Sequence, residues 1–307
     1  MKYTLINGGA GFIGSRIVEK FNKKEIKINL KKKITDDFFK GRNINYLDFS
    51  KKNIDLSFLK NVKTIIHAAS LNKVESDRFP AKSKLVNYDF LKRFIDACKN
   101  YKVKRFIKIS TSKVYGDLVN KKISEYNPLN PFDTYTDYHA KSDILLNKLS
   151  KNPYMDIVVL RVSNGYGYPV FNYPKCWKLI INSFCYQAYH QKKIKIKSKS
   201  NFIKNFVDMN YLIKVLKFFN YYPKRVNGIY NIGSKDNLSI YEMAKNVKKI
   251  AEKNKLSNIK ILTEFSNKET NINFFYSIKK LLDLECVVKE SRKNEINNIF
   301  RYLKKNG

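Results

Sequence analysis

Apolar residues recur in two rhythms along the first half of this chain. Lys2–Asn7, Ile26–Leu30, Asn43–Tyr46, Lys63–His67, Val103–Ser110 and Asp156–Arg161 are short apolar-rich runs of strand length. Between them, Phe12–Lys24, Pro80–Asn100 and Pro131–Ser150 carry apolar positions at helical spacing. The second of these opens on proline and places Leu91, Phe94, Ile95 and Cys98 on one face. Strands alternating with helices predict an α/β fold, with a parallel sheet covered on both sides.

Beyond about Asn164 the alternation weakens. Lys175–Gln191, Asp208–Asn220 and Arg292–Lys304 have helical spacing, and Gly228–Ile232 reads as a short strand. Ser239-Ile240-Tyr241-Glu242 is a capping box, which opens another helix. No repeat and no Pro/Gly/Ser linker divides the chain. The expected organisation is a first domain over 1–163, its sheet completed by segments around 204–232. Residues 164–307 then form mostly a small C-terminal α+β cap that binds substrate.

Composition changes this picture little. At 307 residues and 43% hydrophobic, the chain can bury a full core. No apolar run is long enough to span a bilayer, and Cys98, Cys176, Cys185 and Cys286 form no C-x-x-C pair. The expectation is a cytoplasmic protein with reduced thiols and no membrane insertion. The formal net charge of +35 raises the question of nucleic acid. Lysines, however, are spread along the whole chain with no stripe, tail or nucleic-acid motif, so no nucleic-acid partner is expected. A cationic surface would still attract anionic ligands such as nucleoside diphosphates.

The strongest local signal is Asn7-Gly8-Gly9-Ala10-Gly11-Phe12-Ile13-Gly14, directly after a strand and at the mouth of a helix. Gly8 permits the tight turn, Gly11 lets backbone approach a pyrophosphate, and Gly14 allows close helix–strand packing, with the amides around Phe12 and Ile13 aimed at phosphates. Opening a βαβ pattern, this is a dinucleotide-binding fingerprint and predicts a Rossmann-type doubly wound parallel sheet. The end of the second strand selects the dinucleotide: an acid there holds the ribose hydroxyls of NAD, and a base suits the phosphate of NADP. Here Asn29-Leu30-Lys31-Lys32-Lys33 places Lys31 and Lys32 at that point, with no acid until Asp36. The reading is NADP, with NAD the alternative.

Together with the motifs that follow, these residues resemble the extended short-chain dehydrogenase/reductase family, the NAD-dependent epimerase/dehydratase group that acts on nucleotide sugars. Tyr46-Leu47-Asp48-Phe49 is similar to the segment that meets the adenine ring, and Ile65-Ile66-His67-Ala68-Ala69-Ser70 to the strand end that passes along the cofactor. Asn87 matches the helix asparagine that supports the active site, and Arg161-Val162-Ser163-Asn164-Gly165-Tyr166-Gly167 resembles R-x-x-N-x-Y-G, whose asparagine, here Asn164, faces substrate. Lys204-Asn205-Phe206-Val207 resembles R-D-F-V. Lys204 keeps the charge that would grip a diphosphate but not the bidentate fork. Lys195, Lys197 and Lys199 are nearby candidates to assist. The resemblance also implies a homodimer through Pro80–Asn100 and Pro131–Ser150.

The family's chemistry implies a tyrosine acid/base, a serine or threonine hydroxyl beside the reacting sugar oxygen, and a lysine. Bringing a phenol from about 10 towards 7 requires roughly 4 kcal/mol of selective phenolate stabilisation. In Ser110-Thr111-Ser112-Lys113-Val114-Tyr115-Gly116 the register of the resemblance points to Thr111 as the hydroxyl. The spacing Y-x-x-x-K is not met in Tyr135-Thr136-Asp137-Tyr138-His139-Ala140-Lys141-Ser142. Tyr138 with Lys141 is the preferred pair, because residues three and four apart border one helix face. Tyr135 is the second choice for the acid/base.

A sugar 4,6-dehydratase of this family places an aspartate and a glutamate after the threonine, where this chain has Ser112 and Lys113. Neither replaces a carboxylate, so these two are read as substrate-facing and dehydration is not expected. Reduction of a 4-keto nucleoside-diphosphate sugar needs only hydroxyl, phenol and nicotinamide, and NADP favours it. The alternatives are a C4 epimerase that retains NAD, and a catalytically impaired nucleotide-binding member. No metal is expected.

Overall fold

The computed structural model describes residues 2–306 except 52–53, 117–120, 152, 199–200 and 266–273. The elements run β1 (Tyr3–Asn7), α1 (Phe12–Lys20), β2 (Ile26–Leu30), β3 (Ile44–Tyr46), β4 (Val62–His67), α2 (Lys73–Arg78), α3 (Pro80–Lys84), α4 (Phe90–Asn100), β5 (Arg105–Thr111), β6 (Lys122–Ile123), α5 (Thr134–Leu149) and β7 (Asp156–Val162). They continue as β8 (Asn164–Tyr166), α6 (Ile180–Gln191), β9 (Lys193–Ile196), β10 (Ile203–Asp208), α7 (Met209–Tyr221), β11 (Gly228–Ile232), β12 (Asn237–Ser239), α8 (Ile240–Lys253), β13 (Lys260–Thr263), β14 (Phe275–Tyr276), α9 (Lys279–Leu282) and α10 (Arg292–Asn306).

Seven strands form one sheet in the order β11-β7-β5-β4-β1-β2-β3. β1 lies parallel between β2 and β4, with Ile6 opposite both Ile28 and Ile66. Successive strands step outward on either side of the β1/β4 neighbours, so the strand order reverses there. In an open parallel sheet that point, at the carboxyl ends of the strands, is where ligands bind. This is the Rossmann-type sheet expected, and its strands are apolar almost throughout because both faces are covered: Leu5, Ile6, Ile65, Ile66, Phe106 and Ile107 have no exposed surface.

The chain divides into two compact units. The first contains residues 1–116, 127–161 and 215–230. Its core gathers Leu5, Ile65, Phe90, Phe94, Phe106, Ile157 and Val159. The second contains 117–126, 162–214 and 231–307. Within it β8, β10 and β12 form a three-stranded sheet, and α6, α8 and α10 pack on one another around Phe184, Cys185, Val247, Ile299 and Phe300. Of the segments around 204–232 expected to complete the large sheet, β11 does so. β10 pairs instead with β8 and β12.

Some helices differ from their sequence patterns in extent or in an inner turn. α1 stops at Lys20 because Phe21 turns extended and buries its ring. α5 begins at Thr134, where Asp133 and Thr136 form a capping box that the sequence reading did not use. The predicted helix over Pro80–Asn100 is continuous, but Leu85–Asp89 forms a π turn, with Asn87 buried inside it. Such turns insert one residue into the ladder and often mark functional sites.

Candidate active site

The glycine loop has the shape its sequence implies. Gly8 has φ of +90°, a region that side-chain-bearing residues rarely adopt, and its α-carbon approaches β4 so closely that an added Cβ would lie 2.7 Å from the Ala69 backbone. A Cβ on Gly14 would collide with the Gly8 carbonyl oxygen, whereas one on Gly11 would meet only that oxygen, at 3.3 Å. Gly11 caps α1 without a side-chain hydrogen bond, and no acid occupies the first turn. Ser15 N–H is the first to close the helical ladder, on Gly11 O at 2.9 Å. The helix N-terminus therefore lacks a side-chain cap and opens over a turn whose one side chain is the Ala10 methyl, an arrangement that fits a pyrophosphate.

Around this cradle stand the other expected cofactor residues. Lys31, exposed at the end of β2, lies 4.0 Å from Asp48. Burial would raise the Asp48 carboxyl, but two hydrogen bonds from Ser50 and the charges of Lys31 and Lys51 hold it below its ordinary value. Lys32 is exposed, and Asp36 is engaged in accepting from Phe38 N–H. Phe49 stacks on Phe90 at 4.1 Å between centroids. Asn87 accepts from Leu71 N–H at 2.9 Å and donates to Ser83 Oγ at 3.1 Å, which ties the π turn to the segment after Ala68, Ala69 and Ser70. His67 is sealed beneath, bonded to Asn7 Nδ2 at 2.8 Å. Burial and then Lys108 pull its imidazole down to about 3.

Tyr138 and Lys141, the expected pair, lie together, and it is Tyr135 that stands beside Thr111. Tyr135, half-buried in the first turn of α5, faces the Thr111 hydroxyl at the end of β5, which acts on its phenol as a hydrogen-bonding neighbour. Lys141 is exposed, bonded to Asp137 at 2.6 Å, with its ammonium 5.2 Å from the centroid of the Tyr138 ring. On α5, Tyr138 follows Tyr135 by three residues and borders the same face, while Lys141, six residues on, falls about 120° away, towards Asp137. Ser112 is buried beside Thr111, whose Oγ1 accepts from Lys113 N–H at 3.3 Å. Burial lowers the Lys113 ammonium, against the pull of Asp133, and Lys73 lowers it further. Burial also pushes the Tyr135 phenol up to about 12, a rise that its bond to Thr111 moderates and that Asp133 and Asp143 reinforce.

Two residues that the sequence reading left aside stand out. His139, one turn after Tyr135, packs its ring 4.5 Å from the Tyr135 centroid. Lys108 enters from β5 beneath α5, its Nζ donating to Ser142 Oγ at 2.6 Å and to Asp143 Oδ1 at 2.7 Å. The Asp143 carboxylate also accepts from Arg161 Nε at 2.9 Å, and Arg161 donates to the Tyr115 phenol at 2.9 Å. Burial opposes the Asp143 charge, and the two cations outweigh it and hold the carboxyl below its usual range. The signal for His139 was present: counting four residues on from Tyr135 rather than Tyr138 reaches it. Lys108 gave no signal, since it sits in a run that reads simply as a strand.

In the second unit, Asn164 Nδ2 donates to Asn205 O at 2.8 Å, and the Lys204 ammonium lies 5.9 Å from the Phe202 ring. Lys195 lies 3.7 Å from Glu264, Lys197 is exposed, and Lys199 falls outside the described residues. No cluster of metal-ligating side chains occurs among the described residues.

A parallel sheet with a bare glycine turn at its reversal point defines a dinucleotide-binding enzyme class. The chain belongs, more specifically, to the NAD-dependent epimerase/dehydratase family, whose model matches residues 4–233, within the extended short-chain dehydrogenases/reductases. An ADP-L-glycero-D-manno-heptose-6-epimerase of Brachyspira hyodysenteriae is 31% identical over 265 residues, 80% of each chain. A dTDP-D-glucose 4,6-dehydratase of Dictyostelium discoideum is 27% identical over 79% of this chain, which spans only 61% of that relative's length. Among solved structures, a UDP-N-acetylglucosamine 4-epimerase from Methanobrevibacter ruminantium superposes with a TM-score of 0.80 at 21% identity, over 100% of this chain and 99% of that one. A Thermus thermophilus UDP-glucose 4-epimerase complexed with NAD does so with a TM-score of 0.77 at 19% identity, over 97% and 98%. Family and fold agree with the resemblance read from the motifs.

Proposed function

We propose that this enzyme reduces the 4-keto group of a nucleoside-diphosphate sugar. The observation that carries the reading is the pairing of Thr111 with the half-buried Tyr135 at the carboxyl end of β5. Thr111 orients the reacting oxygen, and Tyr135, in place of the expected Tyr138, delivers a proton to it. A reduced nicotinamide bound on the Gly8–Gly14 turn supplies the hydride. NADPH is the proposed form, held by Lys31 and Lys32 where β2 offers no acid. Asn87 and Ser70 border its path, and Ser112, Lys113, Asn164 and Lys204 are the proposed substrate contacts. Ser112 and Lys113 lack the carboxylates that a dehydratase would use.

The second reading is epimerisation with retained NAD, favoured by the name of the Brachyspira relative. Loss of reduced-nicotinamide absorbance on mixing NADPH with a 4-keto nucleoside-diphosphate sugar tests the first reading. Tightly bound NAD with no net consumption would replace it by the second. A cytoplasmic homodimer belongs to the same proposal. Its supports are four free, buried cysteines and the exposed Val74, Phe79, Phe132 and Ile144 on and beside α2, α3 and α5. A monomer by light scattering would remove the dimer.

A further inference from the structure

The residue one turn after the Tyr135 phenol is an imidazole where the resemblance leads one to seek an ammonium. His139 is 4% exposed, and neither Nδ1 nor Nε2 reaches a hydrogen-bond partner. This geometry bears on its charge. A protonated ring carries two N–H donors, and burying both without acceptors, with the charge, is far less favourable than burying a neutral ring. The groups facing it from the packed elements act in both directions. Lys108 on β5 opposes a positive ring, as does His67 on β4, while Asp143 on α5 and Asp133 at its cap favour one. Asp143 is, however, already shared between Lys108 and Arg161, and Asp133 between Lys73 and the Thr136 amide. The nearest helix lysine, Lys141, is held outward on Asp137.

We infer that His139 is a neutral positioning residue that packs Tyr135 onto Thr111 and leaves it without a cationic neighbour, so that the site is built to donate a proton rather than to accept one. This rests on the proposed reductase reading and deepens it. In the favoured direction a hydride from the reduced nicotinamide forms the new C–H bond as the carbonyl π bond breaks. The oxygen takes the Tyr135 proton, and solvent water returns a proton to the phenolate. Alcohol oxidation would need the phenolate first, and the Thr111 hydroxyl that favours this form is outweighed by burial, Asp133 and Asp143. The burial that raises the Tyr135 phenol and the carboxylates that act on it accord with this direction.

The chain has three histidines, so ring-nitrogen NMR of 15N-histidine-labelled protein is resolvable, with His139 assigned by its loss in His139→Gln. His139 is expected to keep the neutral pattern from pH 8 down to pH 5, without and with NADPH. Protonation above pH 5.5 would overturn the inference. With 13C-labelled tyrosine, His139→Lys is expected to lower the Tyr135 titration by at least one pH unit, since an ammonium at that distance favours phenolate by about 1–3 units. His139→Gln, neutral and of similar reach, should leave it within half a unit. An unmoved phenol in the folded His139→Lys protein, or an equal shift in both variants, would refute the role. These readouts need no sugar substrate, so they stand or fall apart from the assay of 4-keto reduction. NADPH affinity within threefold of the parent in both variants shows that the cradle is intact, and a larger loss would count against a role confined to Tyr135.

Discussion

Replacing Asp143 by asparagine removes one negative charge from a fully buried site and keeps the shape of the side chain. The carboxylate has no exposed surface and joins Lys108 of β5 to Arg161 of β7 across α5, at 2.7 and 2.9 Å. Without it, two cations face each other with the Ser142 hydroxyl, the His139 carbonyl and the Tyr115 phenol, all neutral, left to accept from them. Breaking a buried pair by removing one partner destabilises by about 3–5 kcal/mol. The asparagine oxygen retains one neutral acceptor, which places the expected loss near the lower end, about 3 kcal/mol. Burial already lowers the Lys108 ammonium, and Asp143 is what raises it. Adding Lys108→Met to Asp143→Asn should therefore recover part of the loss, with a coupling of about 1–3 kcal/mol. Urea unfolding followed by circular dichroism on the four proteins of the cycle gives both numbers. A loss below 1 kcal/mol for Asp143→Asn, or strict additivity with Lys108→Met, would refute the claim that this carboxylate is what lets the sheet tolerate a buried lysine.

Three further outcomes follow from the site. Tyr135→Phe should lower the rate of NADPH-dependent reduction by about 10²–10⁴-fold, the usual contribution of a general acid, while Tyr138→Phe stays within about threefold. The reverse order in steady-state assays would restore Tyr138. Gly14→Ala puts a methyl against the Gly8 carbonyl oxygen and should raise the Kd for dinucleotide at least tenfold, measured by fluorescence titration; unchanged binding would mean the turn is not the phosphate site. His67 and His139, each pulled from 6.5 to about 3, bind protons in the unfolded chain before the folded one as pH falls. Stability should be complete above pH 6.5 and decline towards pH 4.5 by about 4–5 kcal/mol for the two together, at up to 1.36 kcal/mol per group per pH unit. A flat unfolding midpoint across that range would contradict the neutral burial of both rings.

What was legible in the sequence was whatever a local rule compels. A glycine turn that must pass phosphate against backbone leaves its spacing in the residues, and Gly8, Gly11 and Gly14 fall where the fold needs them. Buried strands show as apolar runs, and six segments of the large sheet were readable that way. The choice between Tyr135 and Tyr138 is not fixed locally, because it depends on which residues of α5 meet the end of β5. The departure from Y-x-x-x-K points to Lys141 and hence to Tyr138, whereas in the fold it is Tyr135 on which Thr111 acts. Lys108 was hidden for a related reason: a lysine in a strand reads as solvent-facing until the partner carboxylate on another element is known. β10, assigned in advance to the large sheet, joins a separate one because strand pairing is a long-range choice that a six-residue pattern does not carry.

The π turn over Leu85–Asp89 gives the helix that runs from Pro80 to Asn100 two rotational settings instead of one. Upstream of it, Ser83 meets Asn87, which reaches Leu71. Downstream, Leu91, Phe94, Ile95 and Cys98 enter the sheet's core. Removing one residue from an ordinary α ladder rotates everything beyond it by about 100°. The π turn is where this helix holds one residue more than the ladder needs, so a deletion there closes the ladder and leaves the faces on either side in nearly the same relation. What a variant shortened at Asn87 loses is the side chain that accepts from Leu71 N–H. Chain length at this spot therefore serves the asparagine's tether and not the packing of the core.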